Sequence, residues 1–166
     1  MSHRSDGILR PSELAACAPS EERLARGPVV VVECVERIPC DPCVAACSKG
    51  AISMKGDINE PPRVDFEKCD GCGICISACP GLAVFVVDAS RNDGKAAVMM
   101  PHEFRPLPAV GETVTALDRE GSAVCDARVT RVLSAKALDR TPIVSIEVPK
   151  EHAMTVRHFV RKAGQA

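Results

Sequence analysis

A chain of 166 residues suits one domain, or one domain with a small appendage, and is too short for a large multi-domain enzyme. Hydrophobic residues at 46% and charged residues at 26% exclude a disordered acidic or basic tail and allow a buried core. A formal net charge of -1, with four Phe and neither Trp nor Tyr, gives no electrostatic footprint for phosphates and few rings for base stacking. No nucleic-acid partner is expected.

Residues 1–27 are rich in Ser, Pro and charge and read as an N-terminal arm, partly ordered, in which SEL and PSEERL form short capped turns. The stretch MSHRSDGILRPSEL has no apolar segment resembling a secretory signal, so reduced thiols and a cytoplasmic location are expected. The longest apolar run, Leu82 to Val87, is far below the roughly 18 residues of a membrane span, and no direct membrane insertion is expected.

From Pro28, VVVVEC reads as a buried strand entering a first cysteine block, and Ala83 to Asp88 as a strand leaving a second. Eight of the ten cysteines fall in these blocks. Superposing them pairs Cys40, Cys43, Cys47 and Ala51 with Cys72, Cys75, Cys79 and Ala83 at one constant offset, which is an internal repeat. The register breaks at Cys34, three residues upstream of the position that Cys69 predicts. After the turn signal Asn92-Asp93-Gly94 come a strand AAVMM and the proline-rich linker PHEFRPLPAVGE. Glu112 to Leu117, Ala123 to Val132 and Pro142 to Val148 are Val-rich strand candidates, the first two joined by the hairpin signal Asp118-Arg119-Glu120-Gly121. Residues 150–162 are expected to close the chain as a short helix. The expected division is an arm at 1–27, a two-cluster domain at 28–100, and at 101–166 the linker and a small β-barrel or β-sheet domain with a C-terminal helix.

Cys69-Asp-Gly-Cys72-Gly-Ile-Cys75-Ile-Ser-Ala-Cys79-Pro80 is the C-x2-C-x2-C-x3-C-P run that holds 4Fe-4S clusters in bacterial ferredoxins. Three thiolates spaced by two residues let one tight loop cover three irons, and Gly71 and Gly73 let the backbone approach closely. The fourth cysteine, one helical turn on, reaches across to the other cluster. This cross-over rule assigns Cys34, Cys40, Cys43 and Cys79 to one cluster and Cys69, Cys72, Cys75 and Cys47 to a second. The long gap after Cys34 leaves a three-iron species open at the first site, and Ser48 stands where a proline would follow Cys47. Zinc is the rival metal, but zinc ribbons do not need four cysteines within eleven residues followed by proline. Pro39 and Pro42 remove two N–H donors beside Cys40 and Cys43, whereas the matching Gly71 and Ile74 keep theirs, so the first cluster is expected to have the lower potential.

Cys17 and Cys125 lie outside any ligand spacing, and His3, His102, His152 and His158 form no ligand pattern. Asp41 and Asp70, each directly after a cysteine, are read as solvating the loops. There is no Walker loop, dinucleotide fingerprint or Ser-His-Asp set, so no catalytic site of the chain's own is expected.

Residues 29–88 resemble the two-cluster bacterial-type ferredoxins, an α+β fold in which a βαβ unit is repeated about a pseudo-twofold. Taken with the tail RPLPAVGETVTALDREGSAVCDARV and VPKEH, the whole looks like the small iron-sulfur subunit of FAD-dependent dehydrogenases of proline, hydroxyproline, opines and related amines. The resemblance implies a hetero-oligomer in which FAD-containing dehydrogenase subunits oxidise the substrate and this chain carries the electrons away. The alternatives are a diffusible ferredoxin and a structural metal-binding module.

Overall fold

The computed structural model describes residues 3–138 and 140–162; residues 1 and 2 of the arm, Asp139 and residues 163–166 of the C-terminal segment lie outside the described residues. The arm forms three helical turns, α1 (His3–Asp6), α2 (Pro11–Ala15) and α3 (Glu21–Ala25). Helices this short are marginal by themselves. Local caps support them: Glu13 accepts the Arg10 N–H at 2.7 Å across the start of α2, and Ser20 Oγ accepts the Arg23 N–H at 3.1 Å at the start of α3. The arm is more ordered than its composition suggests because α3 is also anchored at long range, through the buried side chain of Arg23.

Two strand–helix–strand units follow, β1 (Val29–Val32), α4 (Pro42–Ala46) and β2 (Ile52–Ser53), then β3 (Arg63–Val64), α5 (Ile74–Ala78) and β4 (Val84–Asp88). β1 pairs antiparallel with β4, β2 pairs antiparallel with β3, and α4 packs against α5. The remaining strands are β5 (Lys95–Pro101), β6 (Thr113–Leu117), β7 (Ala123–Leu133), β8 (Ile143–Pro149) and β9 (His158–Arg161). Asp118 Oδ1 accepts the N–H groups of Glu120 and Ser122 in the β6–β7 hairpin, where Gly121 takes the positive φ of 80°.

The larger sheet is antiparallel throughout, in the order β1-β4-β5-β8-β7-β6-β9. It curls until its two ends share one core: Val31, Phe85 and Val87 from β1 and β4 cluster with Val114, Ala116 and Phe159 from β6 and β9. The opposite faces of β1 and β4, carrying Val30, Val32, Val84 and Val86, form a second core with Cys43, Ile52, Cys75 and Ile76. Side chains alternate across a strand, so β1 and β4 are apolar on both faces because both faces are covered. β5, at the expected domain boundary, bonds to β4 on one side and β8 on the other, and the cysteine-bearing half thus shares a sheet with the C-terminal half.

The C-terminal helix is corrected. Residues 150–152 make a single 3-10 turn, and His158–Arg161 form β9, which ladders onto β6. Met154, Val156, Phe159 and Val160 are too few for a helical face, whereas an edge strand satisfies the open donors and acceptors of β6 and places Phe159 fully in the core. Among the described residues no helix is long and apolar enough to cross a membrane.

Candidate metal centres

Each cysteine block is built the same way. The chain leaves a strand, forms a loop and enters a one-turn helix that carries its third cysteine, with the fourth at the helix end. Cys43 lies in α4 with Cys47 as its C-cap, and Cys75 lies in α5 with Cys79 as its C-cap. Pro42 at the start of α4 has the fixed φ that a first helical residue needs, and Gly73 precedes α5 with a φ of 82°. Both C-cap thiols accept a backbone N–H four residues on, Cys47 from Ala51 at 3.2 Å and Cys79 from Ala83 at 3.4 Å. These bonds occupy matching positions of the internal repeat. Cys69 Sγ accepts the N–H of Val30 on β1 at 3.3 Å.

The antiparallel pairing of β1 with β4 sets α4 beside α5, and this exchanges the fourth cysteines. The thiol of Cys43 lies within electrostatic reach of Cys79, Cys34 and Cys40, and that of Cys75 within reach of Cys72, Cys69 and Cys47. Each group therefore draws three thiols from one block and one from the other. Burial pushes the Cys43 thiol up to about 11 and the Cys75 thiol up to about 12, with the neighbouring sulfurs adding to the effect. Such thiols give up their protons to a metal and not to water at neutral pH.

Two openings reach the groups. Cys47, Cys69, Cys72 and Cys75 line a tight pocket with Gly71 and Gly73. Cys34, Cys40 and Cys79 line a groove of about 790 Å³ together with Ile38, Phe85 and Phe104. Ile38, Ile74 and the Cys72 thiol are solvent-exposed, as is Phe104 at 67%. No three His, Cys, Asp or Glu side chains among the described residues converge as they would on one ion.

The other candidates fall elsewhere. Cys17 Sγ bonds the Glu13 carbonyl at 3.5 Å and lines a separate cavity with Cys34; Cys125 is half-buried in β7. His102 stacks on Phe159 with centroids 4.5 Å apart, and burial pushes its pKa down to about 4. His158 stacks beside them, His3 faces Glu13 and Glu36, and His152 sits in the 3-10 turn. Asp70 accepts the Cys72 N–H at 3.2 Å and meets Lys49 at 3.2 Å, while Asp41 precedes α4 without a side-chain cap bond.

Two charged groups escaped the sequence reading. Glu33, next to Cys34, accepts Arg157 Nε at 2.7 Å and Arg119 Nε at 2.9 Å, and the Arg157 guanidinium lies 5.1 Å above the Phe85 ring. Arg23 donates to the carbonyls of Phe66, Gly27, Pro28 and Cys69. Neither has a local spacing by which it could have been found.

Residues 34–83 match the family described as the 4Fe-4S dicluster domain. The ferredoxin-type protein NapF of Haemophilus influenzae is 35% identical over 69 residues, 39% of this chain and 39% of that protein. The dissimilatory-type sulfite reductase subunit beta of Archaeoglobus fulgidus is 41% identical over 75 residues, 43% of this chain and 19% of that protein. Ketoisovalerate oxidoreductase subunit VorC of Methanothermobacter marburgensis is 35% identical over 69 residues, 39% of this chain and 87% of that protein. The chain thus spans well under half the length of the first two and most of the third. No solved structure matches.

Proposed function

Since the chain belongs to the 4Fe-4S dicluster ferredoxins, we propose that it is the electron-transfer subunit of an FAD-dependent amino-acid or amine dehydrogenase, working in the cytoplasm within a hetero-oligomer. The observation that carries the electron-transfer role is that the fourth cysteine of each block lies with the other block's thiols, Cys79 beside Cys34 and Cys40 and Cys47 beside Cys69, Cys72 and Cys75. We assign one 4Fe-4S cluster to Cys34, Cys40, Cys43 and Cys79 and the other to Cys69, Cys72, Cys75 and Cys47. A 4Fe-4S cluster exchanges one electron at a time, so two in series join a two-electron flavin to a one-electron acceptor. The chain's residues hold the thiolates, direct N–H groups of Val30, Ala51 and Ala83 at sulfur, and exclude water behind Ile76, Val84 and Val86. The two β-α-β units joined through β1 and β4 support a ferredoxin-like module for this half.

Support for a flavin-bearing partner comes from the resemblance of the tail and from the mainly apolar groove beside Cys34, Cys40 and Cys79. Relatives named as subunits of larger oxidoreductases support a hetero-oligomer. Anaerobically isolated protein is expected to hold about eight irons per chain and no zinc. Cys34→Ser should damage one cluster selectively, and Cys17→Ser and Cys125→Ser should leave iron content unchanged. Full iron and an unaltered spectrum in Cys34→Ser overturn the ligand assignment. For the partner, the untagged native protein should co-purify with a chain containing flavin, while the isolated chain with a dye acceptor oxidises no amino acid. Purification as a lone, flavin-free protein would favour a diffusible ferredoxin.

A further inference from the structure

Among the described residues, Arg23 is a buried cation that pairs with no carboxylate. Its side chain belongs to a residue only 8% exposed, and every partner is a main-chain carbonyl: Phe66 at 2.7 Å, Gly27 at 3.1 Å, Pro28 at 3.2 Å and Cys69 at 2.6 Å. Glu67, whose carboxylate feels the field of Arg23, is largely exposed and already held by Arg26. Burying a charge without a counter-charge is costly. Carbonyl dipoles satisfy the N–H groups of the guanidinium but leave its net charge uncompensated.

The site of this charge is specific. The carbonyl it grips most closely is that of Cys69, and Pro28, also gripped, lies two residues before Val30, whose N–H points at the Cys69 sulfur. Around the other thiol group the charges are balanced differently. Arg119 and Arg157 share the Glu33 carboxylate, and Glu36, Glu103 and Asp118 line the same groove. Beside Cys69 the neighbouring ion pairs are Lys49 with Asp70, Arg26 with Glu67 and Lys68 with Asp65, whereas Arg23 is held by carbonyls. Four thiolates around a 4Fe-4S core carry a net negative charge that grows by one on reduction. A fixed cation nearby favours the reduced state.

We propose that Arg23 is the counter-charge of the cluster held by Cys47, Cys69, Cys72 and Cys75, and that it makes this cluster the higher-potential of the two. The inference rests on the ligand assignment above. It gives the N-terminal arm a role, since α3 carries the cation that Ser20 helps to cap in place. It adds to the effect of Pro39 and Pro42, which strip donors from the other loop. Each cluster gains one electron from the titrant and returns it, with no bond made or broken. The electron is biased toward the loop whose Cys72 is exposed to solvent.

The test is a redox titration of the full chain with dithionite, followed by electron paramagnetic resonance, on wild type, Arg23→Gln and Arg23→Lys. Arg23→Gln should lower one midpoint by about tenfold in the equilibrium constant, or about 59 mV for one electron, and leave the other nearly fixed. Arg23→Lys should recover most of the shift. If Arg23→Gln loses one cluster while Arg23→Lys keeps both near their wild-type potentials, charge is again the cause. Two clusters at wild-type potentials in Arg23→Gln overturn the proposal and leave the ligand assignment standing. Equal damage in the Gln and Lys variants also overturns it, because a residue needed only for folding would behave so. Wild-type protein with one cluster, or with zinc, would sink the ligand assignment itself.

Discussion

Gly71→Ala is expected to cost the protein one of its two clusters. A Cβ at this position would lie 2.5 Å from Pro28 Cβ, 2.7 Å from the Pro28 carbonyl carbon and 2.8 Å from its oxygen, and φ is 69°. Neither problem has a soft solution. Pro28 is rigid, leads directly into the core strand β1 and is held through its carbonyl by Arg23, while a left-handed backbone costs a residue with a side chain roughly 1–2 kcal/mol. The loop must move, and the residue next to Gly71 is Cys72. Iron should fall by about half, to roughly four per chain, with the surviving signal that of the Cys34, Cys40, Cys43 and Cys79 site. Gly73→Ala is the control: its Cβ would meet the tip of Met99 at 2.9 Å, which can swing aside, and Ile76 Cδ1 at an ordinary 3.6 Å, although φ is 82°. That variant should lose about 1–2 kcal/mol of stability and keep both clusters. Full iron in Gly71→Ala would sink the argument.

Glu33→Gln should destabilise the fold by about 3 kcal/mol, because it leaves the buried guanidinium of Arg157 and the partly buried one of Arg119 sharing no carboxylate. The Glu33 side chain is 6% exposed and that of Arg157 4%, and Arg157 additionally donates to the carbonyls of Ala153 and Val156. The same carboxylate sets a pH dependence. Burial acts to raise the Glu33 pKa, but the hydrogen bond from Arg119 and the charges of Arg157 and Arg119 outweigh it and hold the group below its ordinary 4.5. Its stabilisation is therefore complete above that ordinary value and is lost as pH falls through the lower, folded value. Denaturant unfolding from pH 7 to pH 3 should show a steep loss in the wild type and a shallower one in Glu33→Gln. Since Glu33 adjoins Cys34 and its N–H bonds the Ala83 carbonyl at 2.8 Å, acid should release iron from the Cys34 site first. Equal stability of the two proteins at pH 7 would show that the triad contributes nothing.

Much of the architecture was legible along the chain. The Val-rich strands β1, β4, β6, β7 and β8 and the hairpin at Asp118–Gly121 were readable because their signals are local: alternation, β-branching and turn residues act within a few positions. The segment at 150–162 misled for the complementary reason. Whether Phe159 ends in a helix or a strand depends on the open edge of β6, more than forty residues earlier, and no local periodicity encodes that edge.

The sequence by itself determined where thiols can gather, because a loop of two-residue spacings followed by one helical turn has a reach set by covalent geometry. It also determined the internal repeat and the cofactor class. Only the tertiary structure decided what surrounds those thiols. Arg23 reaches Cys69 across 46 positions, and Arg157 reaches Glu33 across 124. Such pairings arise when the curled sheet brings its ends into one core and the arm folds back over the second loop. Chain distance leaves no periodic trace of them, because neither partner's position is encoded in the local pattern of the other.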